Sequence, residues 1–334
     1  MTDLSKDNHR AEENARADML DFDAALKATG EKIKRTLRTA PPVIRPLTAH
    51  LSKAGGKMIR ARALLICAAG RDGLISSDAV NAAAGVELLH LATLVHDDII
   101  DNAATRRGID ALHRKFGEKS AVLCGDYLFC VALELASEMR LLENRKDCVD
   151  KSMTRYLTEI CLGELRQNQN AGNYKITENE YYKIISGKTA ALFEASFVTG
   201  FLFSDEPDAA KEDYEKIGHT IGVIFQLADD CADYEFTQKR AKKPVLSDYA
   251  RGVITLPLIH ALRSDPALRC RLEAGDRMPP EALKAAVEAS GGLEYTHAKI
   301  KSLYKKAKAL TERLDITEEK RSALLGLLSK AAGL

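Results

Sequence analysis

Apolar residues recur at steps of three and four through most of the chain. From Ala79 to Ile100 they fall at Val80, Ala84, Leu88, Leu91 and Val95, the period of a helix with a buried face rather than the alternation of a strand. Comparable stripes run through 119–141, 147–167, 178–203, 208–235 and 293–313. The prolines stand at 41, 42, 46, 207, 244, 257, 266, 279 and 280, so none interrupts the stretch from Pro46 to Pro207. Long helices exclude proline from their interiors, whereas strand-rich folds are broken by frequent turns. Ser77-Asp78 opens the third helix, Thr177-x-x-Glu180 reads as a capping box, and Asp205-Glu206-Pro207 puts a proline in a first turn. The pattern predicts an all-α protein. With no internal repeat and short connections such as Gly172-Asn173-Tyr174, one domain is expected over 21–334, preceded by a polar leader at 1–20.

Composition narrows the functions open to such a protein. Hydrophobic residues at 46% and charged residues at 29% of 334 place it among soluble globular chains. Forty-nine Lys+Arg against 48 Asp+Glu leave a charge of +1, so no global field draws it to nucleic acid, and any charge-based function is local. The seven cysteines, at 67, 124, 130, 148, 161, 231 and 270, never fall in a Cys-x-x-Cys spacing, which speaks against a disulfide framework or a zinc site. The first residues lack the apolar core of a signal peptide, and the longest apolar stretch, Ala190 to Phe203, contains Glu194. A cytoplasmic protein without a spanning helix is expected, with at most peripheral membrane contact. The basic run Lys301 to Lys308 reads as a solvated helix face, or alternatively as an anion or membrane-surface patch.

Two acidic constellations carry the chemistry. His96-Asp97-Asp98-Ile99-Ile100-Asp101 places three carboxylates within about 100° of a helix wheel, at the end of an apolar helix. Like charges at this spacing weaken a helix slightly, and a bound cation reverses the effect. Gln226-Leu227-Ala228-Asp229-Asp230-Cys231-Ala232-Asp233 repeats the spacing on a second apolar helix. Two such clusters facing each other form an all-oxygen site suited to magnesium, which commonly holds phosphate groups through one or two carboxylates. Lys57 and Arg60 in Gly55-Gly56-Lys57-Met58-Ile59-Arg60, with Arg106-Arg107-Gly108, add cations for an anionic group. His90, seven residues before Asp97, returns to within about 20° of it.

These motifs, together with Gly163-Glu164, Lys188-Thr189 and Gln226, resemble the trans-isoprenyl diphosphate synthases, or polyprenyl synthetases, over roughly 45–260. The resemblance implies a single-domain helical bundle of the isoprenoid-synthase type around a central cavity, usually a homodimer. It further implies a prenyltransferase that condenses an allylic diphosphate with isopentenyl diphosphate. Carried over to this sequence, Asp97, Asp98, Asp101, Asp229 and Asp233 would bind Mg2+ bridging to the allylic diphosphate, with Asp230 in support. Arg106 would assist that diphosphate; Lys57, Arg60, His90 and Arg107 would hold the diphosphate of isopentenyl diphosphate; Lys243 matches a further lysine. Lys188 would hold diphosphate, while Thr189 and Gln226 would offer oxygen dipoles to an allylic cation. Glu164 and Gln167 read equally well as supporting groups or as polar core residues.

The sequence departs from the family pattern at Met58, where an arginine is usual, at Ala61, where a proline is usual, and at Val253, where many members carry lysine. In this family the positions of Ala92 and Thr93 govern product length, bulky aromatics there stopping growth early. Only Thr93 lies on the Asp97 side of the wheel, about 40° away, so Ala92 enters on resemblance alone. Small residues at both predict a product longer than farnesyl, with a tunnel floor near Val86, Leu89 or the Tyr127 to Val131 stretch.

Alternatives are a short-chain (geranylgeranyl or farnesyl) diphosphate synthase and the catalytic subunit of a two-component synthase. A more distant one is a metal phosphohydrolase using His96-Asp97 with His90, His113, His219, His260 or His297, which leaves the second Asp cluster unexplained. Gly187-Lys188-Thr189 is no P-loop, because Tyr182 stands where that pattern needs glycine.

Overall fold

The computed structural model describes residues 18–141, 143–235 and 246–334, and these are almost wholly helical. In chain order the helices are α1 (Phe22–Arg38), α2 (Arg45–Leu51), α3 (Ile59–Ala68), α4 (Ser77–Ile100), α5 (Leu112–Phe116), α6 (Glu118–Ser137), α7 (Glu143–Gln169) and α8 (Glu178–Ile185). A π-helical turn (Ser186–Ala190) leads into α9 (Ala191–Phe203) and α10 (Lys211–Glu235). Then come α11 (Ser247–Ala250), α12 (Leu256–Ser264), α13 (Pro266–Glu273), α14 (Pro280–Ala289), α15 (Gly292–Arg313) and α16 (Glu318–Ala331). Two antiparallel pairs are the sheet among the described residues: β1 (Met19–Leu20) with β2 (Ile75–Ser76), and β3 (Thr105–Arg106) with β4 (Ile109–Asp110). Met19 and Leu20, assigned by sequence to the leader, are therefore tied to the chain ahead of α4.

The chain forms two compact units. The first holds the described residues up to Val149, with Ser196–Lys211 and Asp315–Lys320. The second holds Asp150–Ala195, Glu212–Leu314 and Arg321–Leu334.

In the first unit α4 is apolar around most of its circumference, which suits a helix enclosed by others. Ala79, Ala83, Ala84, Leu88, Ala92 and Val95 are buried, and its most extensive partner is α6. Gly85 permits that approach: a Cβ there would stand 3.4 Å from the Ala132 carbonyl oxygen. α4 and α6 are each long and apolar enough to cross a bilayer by length and composition alone, and α4 spends that character on packing. Two buried cations complete the unit. Arg145 donates to the carbonyl oxygens of Phe201, Leu202, Ser204 and Glu206, helping to close the end of α9. Lys320 Nζ reaches Glu206 at 2.6 Å and the carbonyls of Cys67 and Ala69.

In the second unit the capping box opens α8 as expected: Glu180 N–H donates to Thr177 Oγ1, and Thr177 N–H to Glu180 Oε2. Glu178 in the same first turn accepts from Tyr295 at 2.7 Å and pairs with Lys299 at 2.8 Å, fixing α8 to α15.

Ser77 opens α4 as expected, with Ser76 as its cap accepting from Ala79 N–H, but that helix is the fourth rather than the third. Two other details differ from the sequence reading. Pro207 precedes a short 3-10 turn, Asp208–Ala210, instead of standing in a first helical turn. The stripe over 178–203 is broken by the π turn, whose apolar composition hides it.

Candidate active site

In the first unit, α4 delivers the first acidic motif. Asp97 and Asp98 lie in its last turn, and Asp101 is the capping residue beyond it, donating its N–H to the Asp97 carbonyl. Asp97 and Asp101 are half-buried. Asp98 is only 4% exposed and is bonded to Arg106, whose Nε donates to Oδ1 at 2.8 Å. A buried carboxylate needs such a partner, so Asp98 is turned to the arginine.

Arg106 comes from the β3–β4 hairpin. Its loop is Arg107-Gly108, both at positive φ (50° and 83°), the geometry of a two-residue turn matched to the twist of the strands. Arg107 takes a conformation that a side chain adopts at some cost, and its guanidinium donates to the Gly55 carbonyl at 3.2 Å. Arg60, Arg106 and Arg107 thus surround His90. Burial, then these three arginines, hold the His90 imidazole well below its ordinary range, so it is neutral at neutral pH. Arg60 is itself pushed down to about 10 by burial, with Glu87 opposing the shift and Arg107 adding to it, and it keeps its charge. Lys57 is exposed in the preceding loop. The structure therefore brings Arg60, His90, Arg106 and Arg107 into one neighbourhood.

The departures at Met58 and Ala61 have local reasons. Met58 stands at φ 49° before α3, its thioether 3.9 Å from where a Cβ on Gly30 would be. Ala61 donates its N–H to Glu87 Oε1 at 3.0 Å, a bond that a proline could not make.

In the second unit, α10 carries the second motif. Asp229 is exposed and Asp233 half-buried. Asp230 is buried, accepting from Gln226 Nε2 at 2.7 Å and from the Tyr181 hydroxyl. Burial, with Asp248 and Asp229 nearby, pushes Asp230 well above the carboxylate range despite those two bonds. Asp233 is locked by the start of α11, accepting from Ser247 N–H and Oγ at 3.2 Å and from Asp248 N–H at 3.1 Å. This adds a carboxyl that sequence reasoning missed. Asp248 is raised by burial and by Asp233, with Arg251 at 2.5 Å pulling the other way. Only the Asp-x-x-Arg spacing hinted at it.

The π turn supplies the remaining groups. Lys188 Nζ pairs with Glu164 Oε2 at 2.6 Å, and Gln167 Nε2 donates to Glu164 Oε1 at 3.4 Å. Thr189 Oγ1 donates to Gln226 Oε1 at 2.7 Å, so Thr189, Gln226, Asp230 and Tyr181 form one continuous chain of hydrogen bonds. Of the two positions expected to govern product length, Ala92 is fully buried and Thr93 half-buried, its hydroxyl donating to the His90 carbonyl. Lys243 lies outside the described residues. Val253 donates its N–H to the Asp248 carbonyl.

Residues 41–289 match the polyprenyl synthetase family. The chain belongs to that family. Membership makes it a prenyltransferase. Relatives include the short chain isoprenyl diphosphate synthase of Methanothermobacter thermautotrophicus, 35% identical over 86% of this chain and 89% of that protein. Another is heptaprenyl diphosphate synthase component 2 of Geobacillus stearothermophilus, 30% identical over 88% of this chain and 91% of that one. The crystal structure of heptaprenyl diphosphate synthase from Staphylococcus aureus superposes with a TM-score of 0.84 at 29% identity, covering 94% of this chain and 99% of that one. The all-α fold expected from periodicity is thereby the family's own.

Proposed function

We propose that this polyprenyl synthetase condenses an allylic diphosphate with isopentenyl diphosphate, repeatedly, and releases a polyprenyl diphosphate longer than farnesyl. The observation that carries the reading is the cluster of Arg60, Arg106 and Arg107 about a neutral His90, a concentration of positive charge that calls for an anion of several charges. Arg60, His90 and Arg107 suit the diphosphate of isopentenyl diphosphate, while Arg106, bonded to Asp98, stands on the side of the first aspartate motif.

The acidic residues fit magnesium. Asp229, Asp233 and Asp248 crowd one another enough to raise Asp248, a repulsion that a cation relieves. Asp97 and Asp101 in the first unit, and Asp229 and Asp233 in the second, would each hold such an ion. Bound there, magnesium would supply positive charge to the leaving diphosphate.

The chain's own groups do the rest. Lys188, steadied by Glu164, stabilises the departing diphosphate as the allylic carbon–oxygen bond breaks. Thr189 and Gln226 present oxygen dipoles to the allylic cation. The double bond of isopentenyl diphosphate forms the new carbon–carbon bond, and the proton released passes to the departing diphosphate. Water must be kept out, since it would capture the cation. Small residues at Ala92 and Thr93 leave the growing chain unblocked, in keeping with the heptaprenyl relatives rather than the short-chain one. The protein acts in the cytoplasm as a homodimer; the exposed Leu123, Leu133 and Val122 on α6 offer an apolar face for it.

Asp97→Ala and Asp229→Ala are each expected to abolish turnover while helix content by circular dichroism stays unchanged. Turnover retained by either variant removes the metal assignment.

A further inference from the structure

The side chains of the π turn are held at Ser186, Lys188 and Thr189, and only the first of these contacts lies outside the site above. One stripe of α10 faces the turn: His219, Gly222 and Gln226, spaced by three and four residues. Gly222 lets the helix close on Ala190, since a Cβ there would stand 2.5 Å from the Ala190 Cα. Gln226 takes the Thr189 hydroxyl at 2.7 Å. At the other end of the stripe His219 Nε2 lies 3.4 Å from the hydroxyl of Ser186, the first residue of the turn. The second ring nitrogen, Nδ1, lies 3.1 Å from Glu194 Oε2 on α9. The other oxygen of Glu194 is held by Arg155 at 2.8 Å, and the same guanidinium bonds Glu215 Oε1 at 2.8 Å and the Tyr156 hydroxyl at 2.9 Å. With Nδ1–H donated to Glu194, Nε2 is left to accept from Ser186; the carboxylate sets the tautomer that grips the turn.

We propose that His219 is a positioning residue for the prenyl transfer, holding Ser186 so that the π turn presents Lys188 and Thr189 in register. The inference rests on the reading of Lys188 and Thr189 as groups that meet the allylic substrate. A π turn carries one residue more than the α-helix on either side, here closed by Ala191 N–H donating to the Ser186 carbonyl. Relaxing it to α geometry would rotate the residues beyond Ser186 by about 100° and carry Thr189 off Gln226. Gly187, inside the turn, has no side chain to resist that slip, so beside its backbone packing on α7 the turn relies on the tether at Ser186 and the contact at Thr189. No step of the reaction uses His219 directly.

The test compares His219→Ala, Ser186→Ala, His219→Gln and His219→Asn in the full chain. It measures kcat, the KM for each diphosphate, and backbone hydrogen exchange across 186–190. Glutamine places its amide where Nε2 stands and keeps the contact with Ser186; asparagine keeps only the contact with Glu194. The expected result is that His219→Ala and Ser186→Ala lower kcat about tenfold, leave the KM for isopentenyl diphosphate unchanged, and speed exchange in the turn. His219→Gln restores kcat and His219→Asn does not. Rescue by asparagine instead, or kcat within about twofold of the parent in both alanine variants, overturns the proposal. A parent chain without turnover counts against the functional reading, and unchanged exchange at 186–190 in the alanine variants then overturns the tether on its own.

Discussion

Gly163 on α7 lies against the backbone of Lys188: a Cβ on the glycine would stand 2.2 Å from the lysine amide nitrogen. The contact is mutual, since a Cβ on Gly187 would stand 2.6 Å from the Glu159 carbonyl oxygen. This backbone-to-backbone seam brings the next residue, Glu164, within 2.6 Å of the Lys188 ammonium. Neither atom is the end of a movable side chain, so Gly163→Ala must push α7 away from the π turn. The variant is expected to lose about 2 kcal/mol of stability in chemical denaturation, in the range of overpacked interiors, and most of its turnover. Gly125→Ala is the control: its Cβ would meet the His96 ring at 2.3 Å, a side chain able to swing aside, and its loss is smaller.

Asp98 and Arg106 are unequal partners, at 5% and 32% side-chain exposure. Removing the arginine strands a buried carboxylate, whereas removing the carboxylate leaves a guanidinium that water can reach. Arg106→Ala is therefore expected to destabilise the protein by about 2 kcal/mol, discounted for the arginine's partial exposure, and Asp98→Asn by less than half as much. Urea denaturation of the two variants at one pH measures the asymmetry.

The long helices were legible because their apolar stripes are unbroken, as in Ala79 to Ile100, and the α8 cap because Thr177 and Glu180 stand at the capping-box spacing. The two aspartate motifs announced themselves by repetition. The π turn did not, because one extra residue within the apolar run 178–203 changes helix phase without changing composition. Asp248 escaped because its link to Asp233 spans 15 residues of chain with no period. Arg145 and Lys320 have no sequence signal, because burial beneath backbone carbonyls follows from tertiary packing that no local pattern encodes. The Arg106-Arg107-Gly108 motif was read for its charge, yet its glycine also marks the hairpin turn that aims both arginines.

His90 carries a pH dependence of definite sign. Its folded-state value lies well below the unfolded 6.5, so the unfolded chain takes up a proton first as the solution is acidified. The contribution to stability is full above pH 6.5 and is lost as pH falls through and below it. His90→Gln is expected to flatten this acid limb. Denaturation midpoints of parent and variant at about pH 7.5 and 5.5 check it, the difference between the two proteins isolating His90 from other histidines.

Thr93 and Ala92 answer differently to the same substitution. Thr93 is half-buried, so Thr93→Phe is expected to shift products toward shorter chains with little loss of stability. Ala92 is wholly enclosed on α4, so Ala92→Phe overpacks the first unit and lowers stability by roughly 1–3 kcal/mol before any effect on length is seen. Product sizing and thermal denaturation of both variants separate the two outcomes.

The most direct measurement is to incubate the purified protein with magnesium, farnesyl diphosphate and labelled isopentenyl diphosphate, then size the extracted products by chromatography beside a chelator control. The account predicts a chelator-sensitive ladder that ends beyond farnesyl. Absence of label in any product, with dimethylallyl and geranyl diphosphates tried as well, would contradict it.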